Sequence, residues 1–194
     1  MLDFTIDRAK TAVLCMDMHT FIVGNVPEPQ KGVLLTATPR VLRAARQAGV
    51  AVIYVEARRR PAFSSPRNKF TSAVRPAVSP AEAIERMKIV PEVAPLEGEP
   101  IVHKPRMNAF YGSELQTMLT ARDIDTIVLS GVATNFVVES TARYAVDADY
   151  RVIVLRDCCA AHSDEAHARA LANMEPLVHI ATSEDFLASL ALTP

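Results

Sequence analysis

The sequence predicts a single α/β domain over residues 1–194, with three layers in which helices cover both faces of a six-stranded, mainly parallel sheet. Short β-branched runs alternate with amphipathic stretches, which is the pattern of βαβ units. The runs are almost continuously apolar, as expected for strands covered on both faces. Right-handed crossovers between parallel strands then distribute the helices over the two faces.

Composition supports a packed globular domain and argues against several classes of protein. Apolar residues make up 49% of the chain and charged residues 22%, which are ordinary values. Lys plus Arg (21) nearly balances Asp plus Glu (22), so we expect no nucleic-acid partner. We also expect a cytoplasmic protein without a membrane partner, because the chain shows neither an apolar span nor a signal-peptide pattern. The odd cysteine count of three argues against a disulfide framework.

The first half of the chain contains two predicted strands and one marked helix. The first strand covers Thr11–Met16 and ends at Asp17. A loop follows, and a helix is then predicted to begin after Thr38, because Pro39 would occupy its first position and a glycine follows its end. The second strand is predicted over residues 50–55.

The second half continues the alternation. The long connection from residue 56 to 99 contains a helix start at Ser79, which is followed by proline. Further strands are predicted over 100–103, 126–130, 151–155 and 177–180. Further helices are predicted from near Ser113, over 135–147, after the N-cap Ser163 and from Ser183.

Polar residues follow three of these strands at their carboxyl ends, where ligands bind in sheets of this class. Asp17 ends the first strand, Lys104 follows the third, and the segment 131–143 follows the fourth. Taken singly, each has an ordinary interpretation as a turn cap, a surface lysine or a glycine turn before a helix.

Taken together, these segments resemble the isochorismatase-like superfamily, also called cysteine hydrolases. The resemblance runs from Thr11 to Leu187 and rests on Asp17-Met18, Lys104 with Asn-Ala-Phe-Tyr-Gly-Ser-Glu-Leu at 108–115, Gly-Val-Ala-Thr-Asn at 131–135, and Arg-Asp-Cys-Cys-Ala-Ala at 156–161. It implies a Rossmann-like hydrolase with an Asp–Lys–Cys triad and, by analogy, a homodimer or homotetramer. Asp17 and Lys104 match two triad positions, but Val137 stands at the position of the cysteine.

The valine excludes covalent catalysis from position 137, because it has no nucleophilic atom. The three cysteines, Cys15, Cys158 and Cys159, are interpreted as buried packing residues and not as substitutes. The resemblance includes true isochorismatases, which also lack the cysteine and hydrolyse a vinyl ether through an acidic Asp and water. Asp17 would then be the general acid or base, and Lys104 would set the charge around it.

Residues flanking these segments are the predicted substrate contacts. The resemblance implies a cis peptide between Val132 and Ala133, and the turn would direct backbone N–H groups at the reacting centre. The predicted side-chain contacts are His19, Phe21, Arg58, Asn108, Phe110, Tyr111, Asn135 and Phe136. Phe21 and Phe110 are the preferred pocket walls and Tyr111 a second proton donor, although aromatic residues near a site are more often core packing than substrate contacts.

The segment 56–80 is basic and bears on the charge of the substrate. Its cationic residues are Arg58, Arg59, Arg60, Arg67, Lys69 and Arg75. They could clamp a carboxylate, face solvent or form a subunit interface. The segment contains no Asp or His of the kind that holds a metal in some nicotinamidases, so we expect neither a metal nor a cofactor.

Three functional hypotheses follow. In the first, the protein hydrolyses a small, anionic molecule for which an isochorismate-like enol ether is the nearest analogue. In the second, it is a catalytically degenerate relative that binds a small molecule. In the third, it is an amide hydrolase in which Asp17 activates water directly.

Overall fold

A computed structural model describes residues 5–57 and 79–192, and it confirms the parallel sheet. Within these ranges six strands form one sheet in the order β3-β2-β1-β4-β5-β6, and every neighbouring pair is parallel. The strands are β1 (Thr11–Met16), β2 (Ala51–Ala57), β3 (Ile101–Lys104), β4 (Thr126–Val132), β5 (Arg151–Ala160) and β6 (His179–Ala181).

Helices connect the strands on both faces. They are α1 (Thr20–Gly24), α2 (Gln30–Gln47), α3 (Pro80–Arg86), α4 (Leu115–Ala121), α5 (Glu139–Asp147), α6 (Asp164–Met174) and α7 (Ser183–Leu192). The predicted caps Ser79 and Ser163 are confirmed, since their hydroxyl oxygens accept backbone hydrogen bonds of 3.2 and 3.1 Å. None of these helices is long and apolar enough to cross a bilayer.

The predicted start of the first long helix is wrong. The helix α2 begins at Gln30, and Pro39 lies inside it. A proline inside a helix costs about 3 kcal/mol, but burying each large apolar side chain contributes about 1.5–3 kcal/mol. Leu34, Val41 and Leu42 are all buried on one face of α2, so burial outweighs the local preference. The predicted loop before Thr38 also contains α1.

Several strands extend beyond their predicted ends. The strand β4 passes through Gly131 to Val132, and β5 continues to Ala160 with a register irregularity between Leu129 and Gly131 of β4. Backbone pairing between parallel strands needs no apolar side chain, so the end of an apolar run does not mark the end of a strand. The last strand is shorter than predicted, at His179–Ala181.

Two buried clusters, one on each face of the sheet, confirm the three layers. In β1, Val13 and Cys15 pack with the layer that contains α2 and α7, whereas Leu14 and Met16 pack with α4, α5 and the end of α6. This alternation is expected of a strand. The sheet is therefore held from both sides, and its carboxyl edge carries the side chains described next.

Candidate active site

A buried ion pair lies at the carboxyl edge of the sheet. The Lys104 ammonium donates a 2.7 Å hydrogen bond to Oδ2 of Asp17 and a 3.0 Å hydrogen bond to the backbone oxygen of Arg106. The other carboxylate oxygen of Asp17 accepts a 2.8 Å hydrogen bond from the backbone N–H of Ala57. Asp17 is 6% exposed and Lys104 is 1% exposed. Both carboxylate oxygens of Asp17 therefore accept hydrogen bonds within the protein.

The strand order explains how these two residues meet although they are 87 positions apart. The strand β2 lies between β1 and β3, and its last residue, Ala57, pairs in register with Lys104. The lysine therefore reaches across the end of β2. Asp17 has a φ of 52°, a left-handed conformation that Asp tolerates better than most residues. Its backbone N–H donates to Val55 at 2.9 Å, which holds the turn against β2.

The turn after β4 lies beside Asp17. The strands β1 and β4 pair with Met16 opposite Gly131. Asp17 and the Val132–Ala133 peptide therefore follow neighbouring strands at the same level. This peptide is cis, as the resemblance implied.

A π-helical turn, Thr134–Val138, follows this peptide and continues into α5. The Val138 N–H donates to Ala133 at 3.4 Å. The first N–H groups of a helix have no acceptor within it, and the helix dipole favours anions at this end. Val137 is 2% exposed and belongs to the same buried cluster as Met16, the residue before Asp17.

Gly131 allows β1 and β4 to approach at this point. Its φ is 134°, and a Cβ built there would lie 2.1 Å from the backbone oxygen of Met16. No side chain fits at that separation, so the position of the turn beside Asp17 depends on glycine.

Two predicted substrate contacts support the backbone of the site. His19 is fully buried, and its backbone N–H donates to the carbonyl oxygen of Asp17 at 2.7 Å. Asn108 fastens the loop after β3, because its Oδ1 accepts from the N–H of Phe110 and its Nδ2 donates to the carbonyl of Ser140, each at 2.7 Å.

The predicted aromatic contacts divide into buried and exposed rings. Phe110 is buried and stacks on a tyrosine of α5 with 4.9 Å between ring centroids, which fits the core-packing alternative. Phe21 is exposed, and the guanidinium of Arg86 lies 4.5 Å from its ring centroid. Tyr111 and Phe136 are also exposed.

The remaining predicted contacts differ in what the structure describes of them. The side chains of Val132 and Ala133 are buried, so these residues would act through their backbone. The side-chain oxygen of Asn135 is buried and has no hydrogen-bond partner among the described residues. Arg58 and the other cationic residues of the segment 56–80 lie outside the described residues, so the carboxylate clamp stays a prediction.

The three cysteines are free and buried, as predicted. Burial raises the pKa of Cys15 to about 12, and burial also raises the pKa of Cys158 and of Cys159. Such thiols stay protonated near neutral pH and are poor nucleophiles. Within residues 5–57 and 79–192, no group of three His, Cys, Asp or Glu side chains could hold a metal ion.

One pair of residues beside the turn was missed by sequence reasoning. The Thr134 hydroxyl and Nδ1 of His167 are 2.8 Å apart. Sequence spacing gave His167 no role, but the Ser163 cap fixes the start of α6 and places His167 one turn later. Its backbone N–H donates to the Ser163 carbonyl at 3.1 Å.

Comparison with known proteins identifies the family to which the chain belongs. The profile of the isochorismatase domain matches residues 11–185. The chain belongs to the isochorismatase family. It therefore belongs to a family of hydrolases. That Val137 stands at the position of the family's cysteine stays a prediction of the resemblance.

Individual relatives of this isochorismatase-family protein agree in length and fold. YwoC of Bacillus subtilis, also of the isochorismatase family, is 32% identical over 96% of this chain and 97% of its own. An isochorismatase family protein of Burkholderia thailandensis is 30% identical with a TM-score of 0.82, covering 96% of this chain and 98% of that one. The N-carbamoylsarcosine amidase of Thermoplasma acidophilum is 26% identical with a TM-score of 0.74, covering 90% and 97%.

Proposed function

We propose that the protein hydrolyses a small, anionic molecule by proton transfer through Asp17 and direct attack of water, without a covalent intermediate. An isochorismate-like enol ether is the nearest analogue of the substrate. The observation that carries the proposal is the buried Asp17–Lys104 pair in a chain whose position 137 offers no nucleophile.

The ion pair can supply the proton that enol ether hydrolysis requires. The hydrogen bond between Lys104 and Asp17 holds one transferable proton at 2.7 Å. Moving it to Oδ2 makes a carboxylic acid that can protonate the terminal vinyl carbon of the substrate. The adjoining carbon then becomes an oxocarbenium ion, which is the species that water attacks. General acid catalysis of this kind contributes about 10²- to 10⁴-fold.

The water that attacks returns the proton to the pair. Its oxygen bonds to the oxocarbenium carbon, and the proton it releases restores the Asp17–Lys104 pair. The resulting hemiketal breaks its bond to the ether oxygen, and its hydroxyl proton passes to that oxygen. The products are an alcohol and a ketone, so the sum of the steps consumes one water.

Two features support an anionic substrate. The helix that begins at Thr134 presents its N-terminal end beside Asp17, and this end favours negative charge. The carboxylate of Asp17 is already neutralised by Lys104. A second negative charge near the turn would therefore meet favourable dipoles and little net repulsion.

Amide hydrolysis is the second candidate, and the similarity to the N-carbamoylsarcosine amidase favours it. In that case Asp17 would take a proton from water while the turn N–H groups bind the developing oxyanion. Both candidates depend on Asp17, but they differ in the bond that is broken.

Replacing Asp17 by Asn tests the proposal. The amide cannot carry the proton, so turnover of isochorismate should fall about 1,000-fold, within the range that proton-transfer catalysis supplies. The matched control is Asp185→Asn, which changes a carboxylate that also accepts two hydrogen bonds, both from Thr182. Unchanged turnover in Asp17→Asn would contradict the mechanism. A wild-type protein that cleaves carbamoyl amides but not isochorismate would favour the second candidate, and one that binds both without cleavage would favour the degenerate relative.

A further inference from the structure

A side-chain hydrogen bond joins the π-helical turn that carries position 137 to α6. The Thr134 side chain is fully buried at the start of the turn, two residues after Val132. Its hydroxyl lies 2.8 Å from Nδ1 of His167. This contact connects the turn beside Asp17 to a titratable side chain on another element.

The chemistry of the two groups indicates which one donates. A hydroxyl can donate or accept, whereas Nδ1 of a neutral histidine accepts if the proton is on Nε2. Among the described residues, the Thr134 hydroxyl has a hydrogen bond to His167 and to no other acceptor. Donation from Thr134 to Nδ1 therefore satisfies both groups, and a buried hydroxyl without an acceptor is costly.

We propose that His167 is a positioning residue for the Asp17 site. In its neutral form it accepts the Thr134 hydrogen bond and fixes the turn, and its protonation reverses that bond and impairs hydrolysis. The part of this inference that concerns hydrolysis rests on the proposed function, whereas the control of the turn by His167 does not.

The geometry of the turn explains why it needs an external attachment. The N–H groups of Phe136 and Val138 both donate to the carbonyl of Ala133, at 3.0 and 3.4 Å. This π-helical geometry is rare and is found mostly as single turns, frequently at functional sites. The turn packs on α6, and the hydrogen bond between Thr134 and His167 is a partly buried polar contact between the two elements. Protonated His167 would donate from Nδ1, so the Thr134 hydrogen would lose its acceptor.

The surroundings of His167 favour its neutral form, but a cavity leaves the ring accessible for protonation. Burial lowers the pKa of His167, and Asp164 on the same helix raises it by a smaller amount. His167 also lines a cavity of about 260 Å³ between α2, β5 and α6. From β5 this cavity is lined by Arg156, Asp157 and Cys159, and from the other side by the uncharged Pro29, which precedes α2, and by Gln30 and Val33 of α2.

The sign of the pH effect follows from the lowered pKa. A histidine whose pKa lies below the ordinary value of 6.5 is neutral at neutral pH and becomes protonated as the pH falls through that lowered value. The turn should thus be fixed above this pH and loosened below it. Hydrolysis should show an acid limb with the same midpoint.

Nuclear magnetic resonance tests the attachment without any substrate. Amide ¹H–¹⁵N shifts of residues 133–137 are followed in the full chain between about pH 5 and about pH 8, the range in which histidines titrate. In the wild type they should move with the midpoint of the His167 ring resonances. His167→Asn keeps an acceptor near the Nδ1 position but cannot titrate. In this variant the amide shifts of residues 133–137 should therefore not change with pH. The control His162→Asn changes an exposed histidine just before α6. In this control the amide shifts of residues 133–137 should depend on pH as they do in the wild type.

Turnover measurements separate this proposal from the proposed function. With isochorismate, His167→Asn should keep most of the wild-type kcat and lose the acid limb. His167→Ala should lose about 100-fold, because a displacement of about 1 Å costs that much. If no substrate is cleaved but the amide shifts of residues 133–137 change with the titration of His167, the proposed function fails and the control of the turn by His167 stands. Turn amides that ignore the His167 titration, or a His167→Asn profile that keeps the acid limb, would overturn the proposal.

Discussion

Gly131→Ala tests the close approach of β1 and β4 that positions the turn beside Asp17. The added Cβ would lie 2.1 Å from the Met16 oxygen, whereas real Cβ contacts are essentially never under 3.0 Å. The strands must therefore separate by about 0.9 Å, which is an overpacking change of about 1–3 kcal/mol. The φ of 134° adds about 1–3 kcal/mol for a residue with a side chain. The free energy of unfolding should fall by about 2–6 kcal/mol.

The matched control is Gly98→Ala. Gly98 also has a positive φ, 86°, but a Cβ there would meet nothing within 4 Å. Only the backbone cost remains, about 1–2 kcal/mol. Urea unfolding followed by circular dichroism measures both variants, and the clash predicts a difference of about 1–3 kcal/mol between them. Equal losses in the two variants would show that β1 and β4 do not approach as described and that the derived position of the turn is wrong.

Two further variants test the ion pair and the predicted nucleophile position, residue 137. Lys104→Met leaves the Asp17 carboxylate buried without its cation and should cost about 3–5 kcal/mol, whereas the double variant with Asp17→Leu should recover most of that loss in urea unfolding. By the family resemblance, Val137→Cys should place a thiol near Lys104, whose charge should lower the pKa of the thiol. Mass spectrometry should then show that iodoacetamide modifies it well before the native cysteines, and equal rates would contradict the geometry.

The strands could be predicted because the β-branched runs that mark them are local features of the sequence. The β-branched runs of β1, β2 and β4 predict buried parallel strands, and parallel strands bring their carboxyl ends to one edge. Asp17 and Lys104 could therefore be assigned to that edge from the sequence. Their contact depends on the register of Ala57 with Lys104, which no local pattern encodes.

The errors arose where tertiary packing overrode local preference. Pro39 predicts a helix start by its fixed φ, but the buried face of α2 runs past it from Leu34 to Leu42. The Thr134–His167 contact joins residues 33 positions apart and lies on two elements that meet only in the folded chain. Neither a helix pattern nor a motif predicts such a contact.

The features around Asp17 are better explained by function than by stability. A buried ion pair loses hydration worth several kcal/mol per charge, and well-packed apolar residues in its place are often neutral or stabilising. Asp17 also adopts a left-handed φ. If these features served only to hold β1, β2 and β3 together, apolar side chains would do so at lower cost. A chain that holds the carboxylate and the ammonium 2.7 Å apart, with valine where the resemblance implies the family cysteine, has the arrangement that the proposed proton transfer requires.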